Sequence, residues 1–313
     1  MERIILDCDP GHDDALAILL AAGNPEIELL GITTVAGNQT IEKVTRNALA
    51  ACAWAGIRVP VAAGATRPFL GEQLTAGEIH GASGMDGPEL PEPLVDLDPR
   101  HAVAFIIETV MAAEPKTVTL VPIGPLTNIA LALRQEPRLA DRVKQVVLMG
   151  GAYAVHGRSP VTEFNIAADP ESAAVVFEAG WPLTMAPLDL TYQALATDDV
   201  IARFGEIPGH LGGIVVELLE FFSSRYRAER ALAAAPVHDP CAVAWLIDRD
   251  VFTTRPATVV VETAGTYARG QTVTDFLGQL GRPANAEVAI TLDRDRFWAL
   301  MTDAVARLSR PVT

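Results

Sequence analysis

Cysteine is scarce in this chain. The three residues, at positions 8, 52 and 241 of 313, are odd in number and never spaced Cys-x-x-Cys. That spacing suggests neither a disulfide framework nor a thiolate zinc site, and it fits a reducing compartment. Positive charge is also short: 24 Lys and Arg stand against 39 Asp and Glu, a net charge of −15. A chain this acidic lacks the basic footprint that nucleic acids or anionic membranes require. No apolar run approaches the ~20 residues of a membrane-spanning helix. The N-terminus enters an acidic motif without the basic and apolar regions of a signal peptide, so a cytoplasmic location is expected. Aromatic residues make up only 6% of a chain that is 50% hydrophobic, so the core must be largely aliphatic. There are no repeats, low-complexity tracts or charged linkers, and residues 1–313 read as one domain.

What the chain does have is acid, concentrated in one place. Asp7, Asp9, Asp13 and Asp14 fall within eight residues. Ile4, Ile5 and Leu6 before them read as a buried parallel strand. Pro10-Gly11 forces a turn, and from Asp13 onward the pattern is a helix stopped at Gly23-Asn24-Pro25. The helix dipole favours a carboxylate in its first turn by only about 0.3–1 kcal/mol. That is too little to hold four like charges together, and a divalent cation would hold them better. With no His or Cys at ligand spacing, oxygen donors point to Ca2+ or Mg2+ and not Zn2+.

Further along, strands are expected at 27–35, 59–63, 117–121, 143–149 and 183–187, alternating with helices at 41–55, 98–114 and about 127–134. Asp98-Pro99 and Asp169-Pro170 read as helix starts. The intervening 64–97 reads as a long functional loop. After 187 come a long helix over 211–232, with Val215, Leu218, Leu219 and Phe222 on one face, and a helix from Pro240 to about 247. Late strands at 258–262, 271–276 and 287–291 precede a helix over 293–308. Such alternation means an α/β fold: an open, mostly parallel but mixed sheet flanked by helices, with a Rossmann-like core. Ligands bind at the carboxyl ends of such strands. That edge collects Asp9 to Asp14, Gly37-Asn38, Ile123-Gly124, Met149-Gly150-Gly151 and Asp189.

The segment Asp7-Cys8-Asp9-Pro10-Gly11-His12-Asp13-Asp14 resembles the N-terminal calcium-binding motif of the nucleoside hydrolases, the inosine-uridine type of N-ribohydrolase. Val-Pro-Ile-Gly-Pro-Leu-Thr-Asn at 121–128, Val-Leu-Met-Gly-Gly at 147–151, Val-His-Asp-Pro at 237–240 and Thr-Val-Thr-Asp-Phe at 272–276 extend the similarity over nearly the whole chain. The resemblance implies the nucleoside hydrolase fold and hydrolysis of the N-glycosidic bond of ribonucleosides to ribose and free base. It implies Ca2+ held by Asp9, Asp14, Asp239 and the backbone carbonyl of Ile123. Asp9 would be the general base and His238 the acid for the departing base. Asp13 and Asn38 would hold ribose hydroxyls, Glu163 and Asn165 would grip the sugar above Met149, and Tyr226 and Arg230, one helical turn apart, would line the base pocket with His80. One departure is Gly157, beside His156, where some members carry an Asn that helps bind the 5′-hydroxyl. A homo-oligomer, tetramer or dimer, and a setting in nucleoside salvage are also implied.

Two other readings fit parts of the sequence. Asp7-x-Asp9 after a strand is similar to the opening of haloacid-dehalogenase-type phosphatases. Those need a downstream Lys, and Lys116 and Lys144 stand at strand starts, the wrong edge. A non-catalytic, calcium-dependent nucleoside-binding protein is the second. Trp54, Trp181, Trp245 and Trp298 read as core, which favours the inosine-uridine or pyrimidine-preferring branch over tryptophan-stacking purine enzymes. No phosphate-binding loop is present, so nucleosides are expected over nucleotides.

Overall fold

The computed structural model describes residues 1–155 and 157–310. The strands are β1 (Glu2–Cys8), β2 (Ile27–Thr34), β3 (Val61–Ala63), β4 (Val118–Pro122), β5 (Gln145–Met149), β6 (Leu183–Ala186), β7 (Phe252–Val261), β8 (Thr272–Asp275) and β9 (Ala286–Leu292). The first helices are α1 (His12–Gly23), α2 (Ile41–Trp54), α3 (Gly77–His80), α4 (Ala102–Ala112), α5 (Thr127–Gln135), α6 (Leu139–Arg142) and α7 (Phe164–Ala168). The rest are α8 (Pro170–Phe177), α9 (Leu188–Thr191), α10 (Asp198–Gly205), α11 (His210–Arg230), α12 (Pro240–Ile247) and α13 (Arg294–Leu308).

All nine strands join one sheet in the order β3-β2-β1-β4-β5-β6-β9-β7-β8. The first seven run parallel. β7 and β8 close the far edge antiparallel, so the sheet is mixed and mostly parallel, as expected. Burial explains the apolar run that begins the chain. Ile4 and Leu6 enter the core layer shared with α1, α12 and α13, while Ile5 enters the opposite layer with α4 and α5. Both faces of β1 are therefore covered, the usual state of a parallel strand. The chain steps outward from β1 to β3, then returns to the other side of β1 as β4. That reversal opens a crevice at the carboxyl ends of β1 and β4, and Asp9 and Ile123 follow those two strands directly.

Several boundaries differ from expectation for local reasons. Asp98-Pro99 does not start a helix: the Asp98 carboxylate is taken by Arg100, at 2.6 Å from Nη2, and α4 starts three residues later, capped by His101. The long loop after β3 contains the single turn α3. The strand expected at 258–262 begins at Phe252, because antiparallel pairing with β9 extends it through Pro256. The short helices α6, α7 and α9 carry too few residues to show a period. Asp169 does cap α8, accepting from the Ser172 amide at 3.2 Å.

Candidate active site

The turn after β1 drives four aspartates into the protein interior: Asp7, Asp9, Asp13 and Asp14 are all at most 4% exposed. Local geometry forces the packing around Asp9. A Cβ on Gly37 would lie 2.1 Å from Asp9 Oδ2, and one on Gly124 2.5 Å from Asp9 Oδ1, so only glycine fits beside this carboxylate. The Asn38 amide donates to Asp9 Oδ2 at 2.6 Å. Asp9 Oδ1 is buried without a hydrogen-bond partner. Asp14 accepts from the amides of Asp9 and Gly11 at 3.1 and 2.9 Å. Asp239, at the start of α12, comes from 225 residues away in sequence. One carboxylate oxygen each from Asp13, Asp14 and Asp239 lie within 4.8 Å of one another.

Burial, and then the charge of their neighbours, pushes three of these acids upward: Asp9 and Asp239 well above the usual carboxylate range, Asp13 to about 7; burial alone raises Asp14, against the hydrogen bonds it accepts. Glu163 is raised to about 6, by burial alone and against the amides it accepts from. Among the described residues no Lys or Arg pairs with any of them. Uncompensated buried charge of this kind is costly. The donors on offer are oxygens, because the nearby imidazole nitrogens are engaged. His238 Nδ1 lies 2.7 Å from Thr191 Oγ1 and Nε2 2.9 Å from Tyr226 Oη. The donor set therefore fits a hard divalent cation such as Ca2+.

Above this acid floor a cavity opens, the kind of concave, mixed polar and apolar place where small molecules bind. Asp9, Asp13, Asn38, His80, Ile123, Met149, Glu163, Asn165, Tyr226, Arg230, His238 and Asp239 all line it; Asp14 lies beneath. Asn165 Nδ2 spans the floor, donating to the Ile123 and Met149 carbonyls at 2.9 and 3.2 Å. Glu163 caps α7 and also accepts from the Gly151 amide at 3.1 Å, so it is fixed from both sides. Tyr226 and Arg230 share the α11 face that borders the cavity, while Arg227 and Glu229 face outward. His80 stacks on His12 and Phe222. His12 Nε2 donates to the Asp86 carbonyl at 2.8 Å, while His80 Nδ1 lies 3.1 Å from His12 Nδ1 and 3.4 Å from the His12 amide that donates to it. His238 is lowered to about 3 by burial, hence neutral near pH 7. The expectation placed on His156 lies outside the described residues; Gly157 lines the cavity.

Sequence reasoning missed Glu78, Arg158, Leu188, Tyr192 and Phe222, which also line the cavity. Phe222 was readable, four residues before Tyr226 on the same helix face. Tyr192 was partly so, just beyond the Asp189 edge. Glu78 and Arg158 sit on irregular loops that carry no pattern. None of the four tryptophans lines the cavity.

Fold and site together define an enzyme of the open α/β class, with a small-molecule cavity at the switch point of its sheet. The model of the inosine-uridine preferring nucleoside hydrolase family matches residues 4–299, and the chain belongs to that family: it is a hydrolase of N-glycosyl compounds. It is 51% identical over 312 residues to the inosine-uridine preferring nucleoside hydrolase of Crithidia fasciculata, covering 99% of each chain. It is 47% identical over 304 residues to the pyrimidine-specific ribonucleoside hydrolase RihB of Escherichia coli, covering 97% of this chain and 96% of that one. Among solved structures it superposes on the purine-preferring ribonucleoside hydrolase of Gardnerella vaginalis with a TM-score of 0.91 at 34% identity, over 98% and 99% of the two chains. The phosphatase reading finds no support. Asp7, its required nucleophile, is fully buried, with Oδ1 held by Thr33 at 2.6 Å and Asn128 at 2.8 Å. Lys144 pairs with Glu2 at the opposite edge. Among the described residues, no helix is long and apolar enough to cross a membrane.

Proposed function

We propose that residues 1–313 form one catalytic domain that hydrolyses uridine, cytidine and inosine to ribose and free base, with Ca2+ as its resident ion. The observation that carries this reading is the group of buried carboxylates under the cavity that no Lys or Arg among the described residues pairs with, Asp9 Oδ1 being left without a partner. Asp9, Asp14, Asp239 and the Ile123 carbonyl would hold the ion. Bound there, Ca2+ would offset the buried negative charge, anchor the ribose diol and acidify a water.

Asp9 Oδ1 takes a proton from the attacking water, acting as general base. The water oxygen bonds to the anomeric carbon while the bond to the base nitrogen breaks, its electron pair leaving with the base. Positive charge develops on the sugar, as in other glycoside hydrolyses, and Glu163, Asp13 and the Asn165 amide oxygen stabilise it. Asp13 and Asn38 hold the ribose hydroxyls, Met149 lies under the ring, and His80, Tyr226 and Arg230 face the base. The leaving base takes up one proton; His238 would supply it as the imidazolium, which the buried ring, neutral in the free protein, reaches only by first taking a proton from solvent, with the Tyr226 hydroxyl on its Nε2 as the link to the cavity. The protein works on a small molecule as a homo-oligomer, dimer or tetramer, in nucleoside salvage in the cytoplasm.

The test is ribose release from uridine, cytidine, inosine, adenosine and uridine 5′-monophosphate, with and without a chelator. Release from nucleosides, lost on chelation and restored by Ca2+, is expected. Turnover that survives exhaustive chelation, or phosphate release from the monophosphate, would overturn the reading.

A further inference from the structure

The segment between β5 and α7 borders the cavity through Gly157 and Arg158, yet it has no regular structure of its own. Its amides are held almost one by one by side chains. The Gly151 amide donates to Glu163 Oε2 at 3.1 Å and the Ala152 amide to Thr272 Oγ1 at 2.8 Å. The next three donate to a single carboxylate: Tyr153 to Asp189 Oδ2 at 2.8 Å, and Ala154 and Val155 to Asp189 Oδ1 at 2.9 Å each. No Lys or Arg among the described residues pairs with Asp189, so its charge is met by backbone dipoles. Hydrogen bonds to an ionised acceptor are stronger than neutral ones, and three of them converge here.

The mount itself is rigid. Asp189 sits on α9, whose position is fixed to the sheet by Gln193: Nε2 donates to the Asp189 and Ile290 carbonyls at 2.9 and 2.8 Å, and Oε1 accepts from the Leu292 amide at 3.0 Å. Beyond Val155 the segment folds on itself, with the Gly157 and Arg158 amides donating to the Thr162 carbonyl at 3.2 and 3.0 Å. Its outward ties are two exposed cations, Arg230 to the Gly157 carbonyl at 2.8 Å and Arg158 to Glu78 at 3.3 Å. A Cβ on Gly157 would lie 2.8 Å from Leu188 Cδ1, so the segment seats directly on α9.

We infer that Asp189 is a positioning residue for substrate binding: by holding the 153–155 amides it sets where Gly157 and Arg158 border the cavity beside Glu163. This rests on the proposed nucleoside reading, with the 5′-hydroxyl beside Gly157 as the resemblance implies. Asp189 is therefore a determinant of 5′-hydroxyl recognition although it does not itself line the cavity.

The test compares wild type, Asp189→Asn and Asp189→Ala on uridine and 5′-deoxyuridine in the presence of Ca2+, with hydrogen exchange followed at residues 152–158. For Asp189→Ala, KM for uridine should rise about tenfold or more, the usual scale for removing a group that holds a ligand-contacting one, with kcat within about threefold. KM for 5′-deoxyuridine should move much less. Amides 153–155 should exchange faster while β5 and β6 stay protected. Asp189→Asn keeps one acceptor oxygen and should fall between; it carries the test if the alanine variant does not fold. Unchanged KM, an equal rise for both substrates, or unchanged exchange at 153–155 would overturn the role of Asp189. A wild type that does not hydrolyse uridine would instead overturn the reading of the site.

Discussion

The two ends of β1 carry acid under opposite regimes. At its amino end Glu2 is met by Lys144 at 2.6 Å and by Thr119 and Gln145. Burial alone would raise this carboxyl, but these partners outweigh it and hold it below the usual range. At the carboxyl end, about twenty ångströms away by the rise of a seven-residue strand, Asp9, Asp13, Asp14 and Asp239 have no cation and are all raised. One edge of the sheet is settled within the chain; the other requires something the chain does not supply. Unpaired buried charge costs stability, and where it persists it marks a functional site.

The largest expected effect comes from Asp9. A general base contributes about 10²–10⁴-fold, so Asp9→Ala should lower kcat by about a thousandfold or more. Activity within about tenfold of wild type, roughly 1.4 kcal/mol, would remove Asp9 from that role. Asp9→Asn should lower activity likewise while raising the melting temperature of the chelated protein, because it relieves like-charge crowding. A fall in that temperature would mean the carboxyl edge is not strained by charge, and the contrast between the two edges would fail.

How much of this contrast was legible beforehand depends on range. The acidic turn, the parallel strands and the Asp9-to-Asp14 cluster are local, written within fifteen residues by apolar runs, Pro-Gly and repeated Asp. Asp239 was legible only by resemblance, since nothing local distinguishes it from a helix cap; proximity to Asp13 is a product of topology. Tyr226 stands in sequence among Arg225, Arg227 and Glu229, as on a solvated face, and only the packing of α11 over His238 buries it. Glu78 and Arg158 were illegible, because loops without period place side chains by their anchors and not by their sequence. Asp189 is such an anchor. Its position at a strand end was visible, but the three amides it gathers were not.

An intermediate effect is expected on stability in Ca2+. The sign follows from the raised acids. A carboxyl whose folded pKa exceeds its unfolded value lends stability that is complete below the unfolded value and lost as pH rises through the folded one. For Asp13 that window runs from about 4 to about 7, and for Glu163 from about 4.5 to about 6. The metal-free protein should therefore lose this contribution across that range. A cation bound beside Asp13 favours the ionised form of the carboxylates around it, so the gain in melting temperature on adding Ca2+ should grow over the same interval. At a hundred times Kd the gain reaches about 2.7 kcal/mol. A gain that stays flat from pH 4.5 to 7.5 on the matching thermal scans, roughly the window above, would break the link between raised acids and metal.

The smallest effect belongs to the amino edge, and it is what makes the comparison sharp. Lys144 is 44% exposed against 12% for Glu2, so solvent screens their pair and its worth is about 0–1 kcal/mol. Lys144→Ala should shift the denaturant midpoint by no more than that, with kcat and KM on uridine unchanged. Glu2 keeps its Thr119 and Gln145 partners and remains open to water on one side, so it is not left as an orphaned charge. A loss of several kcal/mol would show that the amino edge also stores buried charge, held down by one lysine, and the two ends of β1 would then differ only in whether the chain provides its own cation.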